Sequence, residues 1–177
     1  MSDIAFVLVW WLLIQVFGLA ALPLAFRLLR RLPDRGYAVS KALGLLLTTY
    51  VFWLLNILGF LRNDTGSILF SLVAVGGISF LLYSRTDHVS RPALLEWLRA
   101  NWKLVLVIEL VFVASFFGWV VYRAYSTRIL TAGGEKFMEL AFLNGIRRSG
   151  TMPPLDPWLS GYGISYYYFG YLMMSVL

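Results

Sequence analysis

Three carboxylates and three cations fall within one short stretch of the chain, GGEKFMELAFLNGIRRSGTMPPLDPW. The acids are Glu135, Glu139 and Asp156, and the cations are Lys136, Arg147 and Arg148. A carboxylate can act as general base on a hydroxyl or hold a divalent cation such as Mg or Mn. Lys and Arg beside it can bind a phosphate or pyrophosphate leaving group, Arg in a bidentate manner. Aromatic rings follow at once in Trp158, Tyr162 and Tyr166-Tyr167-Tyr168, and such rings suit an isoprenoid tail or the face of a sugar. Together these groups outline sugar transfer from a lipid-phosphate donor, with Arg123 a further candidate to neutralise the phosphate. The plainer reading of the tyrosines is an aromatic belt at a span entrance, at headgroup level.

Periodicity says how these groups are held. The spacing predicts a helix over Glu135 to Ser149, after a break at Gly133-Gly134. Acids in its first turns and Arg147-Arg148 in its last both favour the helix dipole. Glu135 and Glu139 are four apart and project from one face. Phe137, Leu140, Ala141 and Asn144 form another, giving an amphipathic helix on the membrane surface. Gly150 ends it, and Pro153, Pro154 and Pro157 keep the following segment out of helix. Consecutive tyrosines face different directions, so only part of that run can line one site.

The rest of the chain is membrane. It has 177 residues, 60% hydrophobic and 14% charged, where a soluble domain carries about 25% charged residues. Apolar runs at Ile4–Phe26, Ala42–Leu61, Ile68–Tyr83 and Leu104–Tyr122 have the length of spans. The run at Ile164–Leu177 is shorter than the ~20 residues a span needs, so the chain is expected to be part of a longer protein. Arg27, Arg30, Arg31, Arg35 and Lys41 follow the first run, and Arg85, Arg91, Arg99 and Lys103 follow the third. Under the positive-inside rule these segments are cytoplasmic and the N-terminus is extracytoplasmic. The same rule accounts for the net charge of +6 without nucleic acid as a partner. Within the second basic segment Leu94, Leu95, Leu98 and Trp102 share one face of an interfacial helix started by Pro92. Gly76-Gly77 permits close helix approach. Asn63-Asp64-Thr65 matches a glycosylation sequon in a link too tight for its use. Glu109 is an acid within a span, a functional suspect whose simpler fate is to reach the interface or a nearby Trp or Lys. Cysteine is absent and His88 is the single histidine, which leaves no thiol nucleophile and no zinc centre.

The residues of the polar stretch carry a resemblance. Glu135-Lys136-Phe137-Met138-Glu139, Ala141-Phe142-Leu143-Asn144, Pro153-Pro154-Leu155-Asp156-Pro157-Trp158 and Tyr166-Tyr167-Tyr168-Phe169-Gly170-Tyr171 resemble the YYY-domain membrane proteins of archaeal and chloroflexal type. Leu32-Pro33-Asp34-Arg35-Gly36-Tyr37 and Arg123-Ala124-Tyr125-Ser126 extend the likeness over most of the chain. The family looks related to GT-C glycosyltransferases, which use polyprenyl-phosphate sugars on the outer face. Those enzymes commonly open this loop with an acidic pair; here Gly134 stands in the first place, so the resemblance implies that Glu135 or Glu139 takes the role of base.

The sequence therefore predicts an all-α, polytopic transmembrane helical protein. It should have about four full spans plus an incomplete fifth, interfacial helices and one large extracytoplasmic loop. An N-terminal membrane module covers 1–103, and the start of a GT-C-like module covers 104–177. The implied function is transfer of a sugar from a polyprenyl-phosphate donor on the extracytoplasmic face of the cytoplasmic membrane. The partners are the lipid bilayer, the lipid-linked sugar and membrane proteins. The alternative is a non-catalytic transmembrane scaffold subunit of a larger membrane complex.

Overall fold

Hydrocarbon offers no hydrogen bonds, so every backbone N–H and C=O in a span has to be satisfied within protein, and a helix does this within one segment. The computed structural model describes residues 3–85, 93–126 and 135–177. Those residues form α1 (Asp3–Leu28), α2 (Ser40–Ile57), α3 (Thr65–Ser84), α4 (Leu94–Ala100), α5 (Trp102–Tyr125), α6 (Lys136–Arg148) and α7 (Phe169–Val176), with no strand among them. α1, α2, α3 and α5 are long and apolar enough to cross a membrane. The four long runs of the sequence fall on these four helices. α2 stops at Ile57 rather than Leu61, and Gly59, at φ 80°, turns the chain beyond it. Gly133-Gly134, Pro92, Arg91 and His88 lie outside the described residues.

The chain divides into two compact units. The first comprises Met1–Gly44 and Ala74–Thr127, the second Leu45–Val73 and Arg128–Leu177.

In the first unit α1 meets the start of α2 at a contact that excludes side chains. A Cβ on Gly44 would lie 1.9 Å from the Phe17 carbonyl oxygen, and one on Gly18 would lie 2.8 Å from Lys41 Cγ. Pro23 interrupts the α1 ladder, and the N–H of Leu24 donates instead to Ser79 Oγ of α3 at 2.9 Å. A Cβ on Gly76 would lie an ordinary 3.7 Å from Ala20 Cβ and one on Gly77 would meet nothing within 4 Å, so the tightest approach is at Gly44 and not at the Gly pair. α4 is held by Trp97, buried edge-on against Phe26 at 5.7 Å between ring centroids. Trp97 takes the protein contact, while Leu95, on the face expected to lie against the membrane interface, is 66% exposed.

In the second unit the α2–α3 link serves two helices at once. Asp64 Oδ1 accepts the Ser67 N–H at 2.8 Å and caps α3. Asn63 Nδ2 donates to the carbonyls of Ile146 at 2.6 Å and Ser149 at 2.7 Å, satisfying the C-terminal end of α6. The Asn63 N–H donates to Gly150 O at 3.0 Å, and Asn56 Oδ1 accepts the Met152 N–H at 2.7 Å. The sequon asparagine is thus a structural cap. α6 lies on α7 through Phe142 and Ile146, with Leu172 and Val176 buried on the α7 side. Burying side chains of this size contributes about 1.5–3 kcal/mol each relative to water.

Candidate functional site

The face of α6 that carries Glu135 and Glu139 is also the face that packs. At 3.6 residues per turn, Glu135, Glu139, Phe142 and Ile146 form one stripe. Phe142 and Ile146 are buried, whereas Phe137 and Leu140 of the predicted apolar face are exposed. Glu135 ends up at the N-cap and Glu139 one turn on, both exposed. Below them Phe142 anchors an aromatic group. Tyr166 stacks on it at 5.5 Å and 28°, Trp158 meets it edge-on at 5.3 Å, and Tyr171 lies at 5.5 Å. The Glu139 and Glu135 carboxylates are near enough to act electrostatically on the Tyr171 phenol, a residue that sequence reasoning had not placed in the site.

The tyrosines separate as their consecutive positions require. Tyr166 turns to Phe142, Tyr167 is 88% exposed, and Tyr168 accepts the Trp53 Nε1–H at 2.8 Å. They precede α7 instead of lying within it.

A second face of α6 looks onto a hairpin formed by residues 154–164. Leu155 and Gly163 pair across it, the Ile164 N–H donates to Pro154 O at 2.8 Å, and Asp156 N–H donates to Tyr162 O at 2.8 Å. Ser149 Oγ ties the base, donating to Gly145 O and accepting from the Leu155 N–H at 2.7 Å. A recess of about 390 Å³ opens there, lined by Asn144, Arg148, Ser149 and Asp156 among apolar neighbours. Asp156 Oδ1 accepts the N–H groups of Trp158 and Leu159 at 2.8 and 3.0 Å, so this oxygen shapes the hairpin tip. Lys136 and Arg147 share a third face of α6. The predicted site residues of the second unit thus sort into an acid–aromatic stripe (Glu135, Glu139, Trp158, Tyr166), a recess (Arg148, Asp156) and a cationic edge (Lys136, Arg147), with Tyr167 and Tyr168 apart. Arg123 is exposed in the last turn of α5, in the first unit. Among the described residues no three His, Asp or Glu side chains converge to hold a metal ion, so no step is assigned to one.

The first unit holds a polar cluster that periodicity alone did not reveal. Glu109 Oε1 accepts from Lys41 Nζ at 2.5 Å and from the Tyr37 hydroxyl at 2.8 Å, and Oε2 accepts from Gln15 Nε2 at 3.3 Å. Lys41 is only 8% exposed and Glu109 26%. Burial first, and then the bond to Glu109, push the Tyr37 phenol above its ordinary range. Glu109 thus meets a lysine, as the simpler expectation for it allowed, but the lysine is Lys41 of the basic segment after α1, and Gln15 and Tyr37 join it.

No curated protein and no solved structure matches the chain. A family model described as "uncharacterized membrane protein (DUF2298)" matches residues 47–177, which take in the whole acid–aromatic stripe, the recess, most of α2 and all of α3 and α5. The chain belongs to this DUF2298 family of membrane proteins.

Proposed function

We propose that the protein is a GT-C-like glycosyltransferase of the YYY-domain type, moving a sugar from a polyprenyl-phosphate donor to a hydroxyl acceptor on the extracytoplasmic face. One observation carries the reading: a single short helix, α6, presents exposed carboxylates on an aromatic-backed stripe with a cation, Lys136, on the flanking face. Lys136, next to Glu135 and three positions before Glu139, is suited to the donor phosphate. Glu135 or Glu139 takes the acceptor hydroxyl proton as that oxygen bonds to the anomeric carbon. The carbon–oxygen bond to phosphate breaks, and the polyprenyl phosphate leaves. Asp156 is the weaker base, because one of its oxygens already caps the hairpin. The tyrosine and tryptophan rings offer faces to a sugar or a prenyl chain.

The scaffold reading is favoured by a different feature, the exposure of Leu155, Trp158, Leu159 and Tyr162 on the hairpin. Membranes containing wild type, Glu135→Ala or Glu139→Ala separate the two when assayed with labelled polyprenyl-phosphate hexose. Transfer by wild type, with loss in one glutamate variant that still inserts, supports the enzyme. Absence of transfer by wild type across donor sugars, with the hairpin protected by a co-purifying subunit, would replace it with the scaffold.

A further inference from the structure

One end of the first unit is basic, and its chemistry is not used by the proposed site. Two acids lie there among the described residues, and each is spent on backbone. Asp34 accepts the N–H groups of Gly36 at 3.2 Å and Ala38 at 2.9 Å; Glu96 accepts that of Ala93 at 3.2 Å. The sole ion pair among the described residues is Lys41–Glu109. Arg30, Arg31, Arg99 and Lys103 are therefore exposed cations without a carboxylate partner among those residues. They sit on a built surface. Successive turns bond Leu32 N–H to Leu29 O, Arg35 N–H to Leu32 O and Tyr37 N–H to Asp34 O. The Arg35 guanidinium then lies over Phe26 at 4.9 Å and near Trp97 at 6.0 Å, joining this loop to α4.

Apolar side chains interleave with the cations and decide the partner. Leu32, Leu95 and Trp102 are all more than two-fifths exposed. An acidic protein or nucleic acid would meet the charges but leave these groups wet. A lipid leaflet takes both, acyl chains against the leucines and phosphates against the guanidinium groups. The surface is also continuous with the ends of two spans, α1 and α5.

We propose that the loop after α1 and the α4–α5 corner bind the headgroups of acidic phospholipids. Each cation contributes roughly a fivefold preference for an anionic over a zwitterionic headgroup.

The full chain is reconstituted with mixed phosphatidylcholine and phosphatidylglycerol, and retained lipid is counted by native mass spectrometry. Wild type is expected to retain phosphatidylglycerol preferentially. Arg30→Gln/Arg31→Gln and, separately, Arg99→Gln/Lys103→Gln should each reduce that preference by roughly 25-fold, whereas Arg30→Lys/Arg31→Lys should keep it. Since the chain lacks cysteine, one introduced cysteine reports that each variant keeps its orientation. The two pairs are on separate segments, so misfolding of one leaves the other to decide. Equal retention of both lipids by wild type, or preference unchanged in a correctly inserted Gln pair, overturns the proposal. Release of the lipid by inorganic phosphate alone also overturns it, in favour of a free-anion site.

Discussion

Lys41 Nζ lies 2.5 Å from Glu109 Oε1, with the lysine stem packed against Gly18 of a third helix. Removing one partner strands a charge away from water, whereas removing both removes the problem. Lys41→Met should therefore lower stability by about 3 kcal/mol, and Lys41→Met/Glu109→Met should recover most of that loss. Melting in detergent measures both. A double variant no better than the single would show that the pair is not what holds these helices.

Tyr37 makes the same cluster sensitive to alkali. Its phenol is held above the ordinary range, so the folded state keeps a proton that the unfolded chain releases above about pH 10. The fold then binds more protons than the unfolded chain, and stability falls as pH rises through that region. Below it Tyr37 adds no pH dependence. Tyr37→Phe should melt lower at neutral pH but with a flatter decline in alkali, which parallel melting curves would reveal.

The Gly44 crossing predicts a contrast between two glycines. Gly44→Ala places a methyl against the Phe17 carbonyl and should cost about 1–3 kcal/mol or more. Gly77→Ala meets open space and should be close to neutral. Detergent melts of the two variants test the contrast, and equal effects would contradict the crossing.

Asn63 should matter for a helix more than eighty residues away. Asn63→Ala leaves two α6 carbonyls without that donor and should cost about 1–3 kcal/mol. Asn63→Asp should be worse, since a carboxylate neither donates to them nor suits the negative end of a helix. Limited proteolysis of residues 135–168 provides the measurement, with faster cleavage expected in both.

Asp156 and Lys136 separate shape from chemistry in the polar stretch. Asp156→Asn keeps the oxygen that caps Trp158 and Leu159 and should fold normally, while Asp156→Ala should lose about 1 kcal/mol. Lys136→Ala should weaken donor binding roughly tenfold or more through loss of a charged hydrogen bond. A donor KM unchanged by Lys136→Ala would remove this residue from phosphate binding.

The spans were legible because apolar length is a one-dimensional signal that needs no partner. α6 was legible for the same kind of reason: its acids, its arginines and Gly150 mark its ends locally. Its packing face was not. Phe137 and Leu140 mark the face expected to lie on the membrane surface, and they are exposed, whereas the contact with α7 uses the stripe of Phe142 and Ile146 that also bears the glutamates. The Lys41–Glu109 pair spans 68 positions and the Asn63–Ile146 bond 83, separations at which local pattern carries no information. Tyr171 stands outside the aromatic belt that the sequence predicts, and its nearness to Glu139 follows only from how α7 lies against α6.

Asn63 also sets a clock. Its carbonyl partner on Ser149 is made 86 residues later, which at ~5–20 residues per second is roughly 4 to 17 s of synthesis. Through that interval the link between α2 and α3 waits with its amide unengaged. The second unit can close only after the third and fourth long helices have been synthesised. Its assembly is thus a late event in the making of this chain.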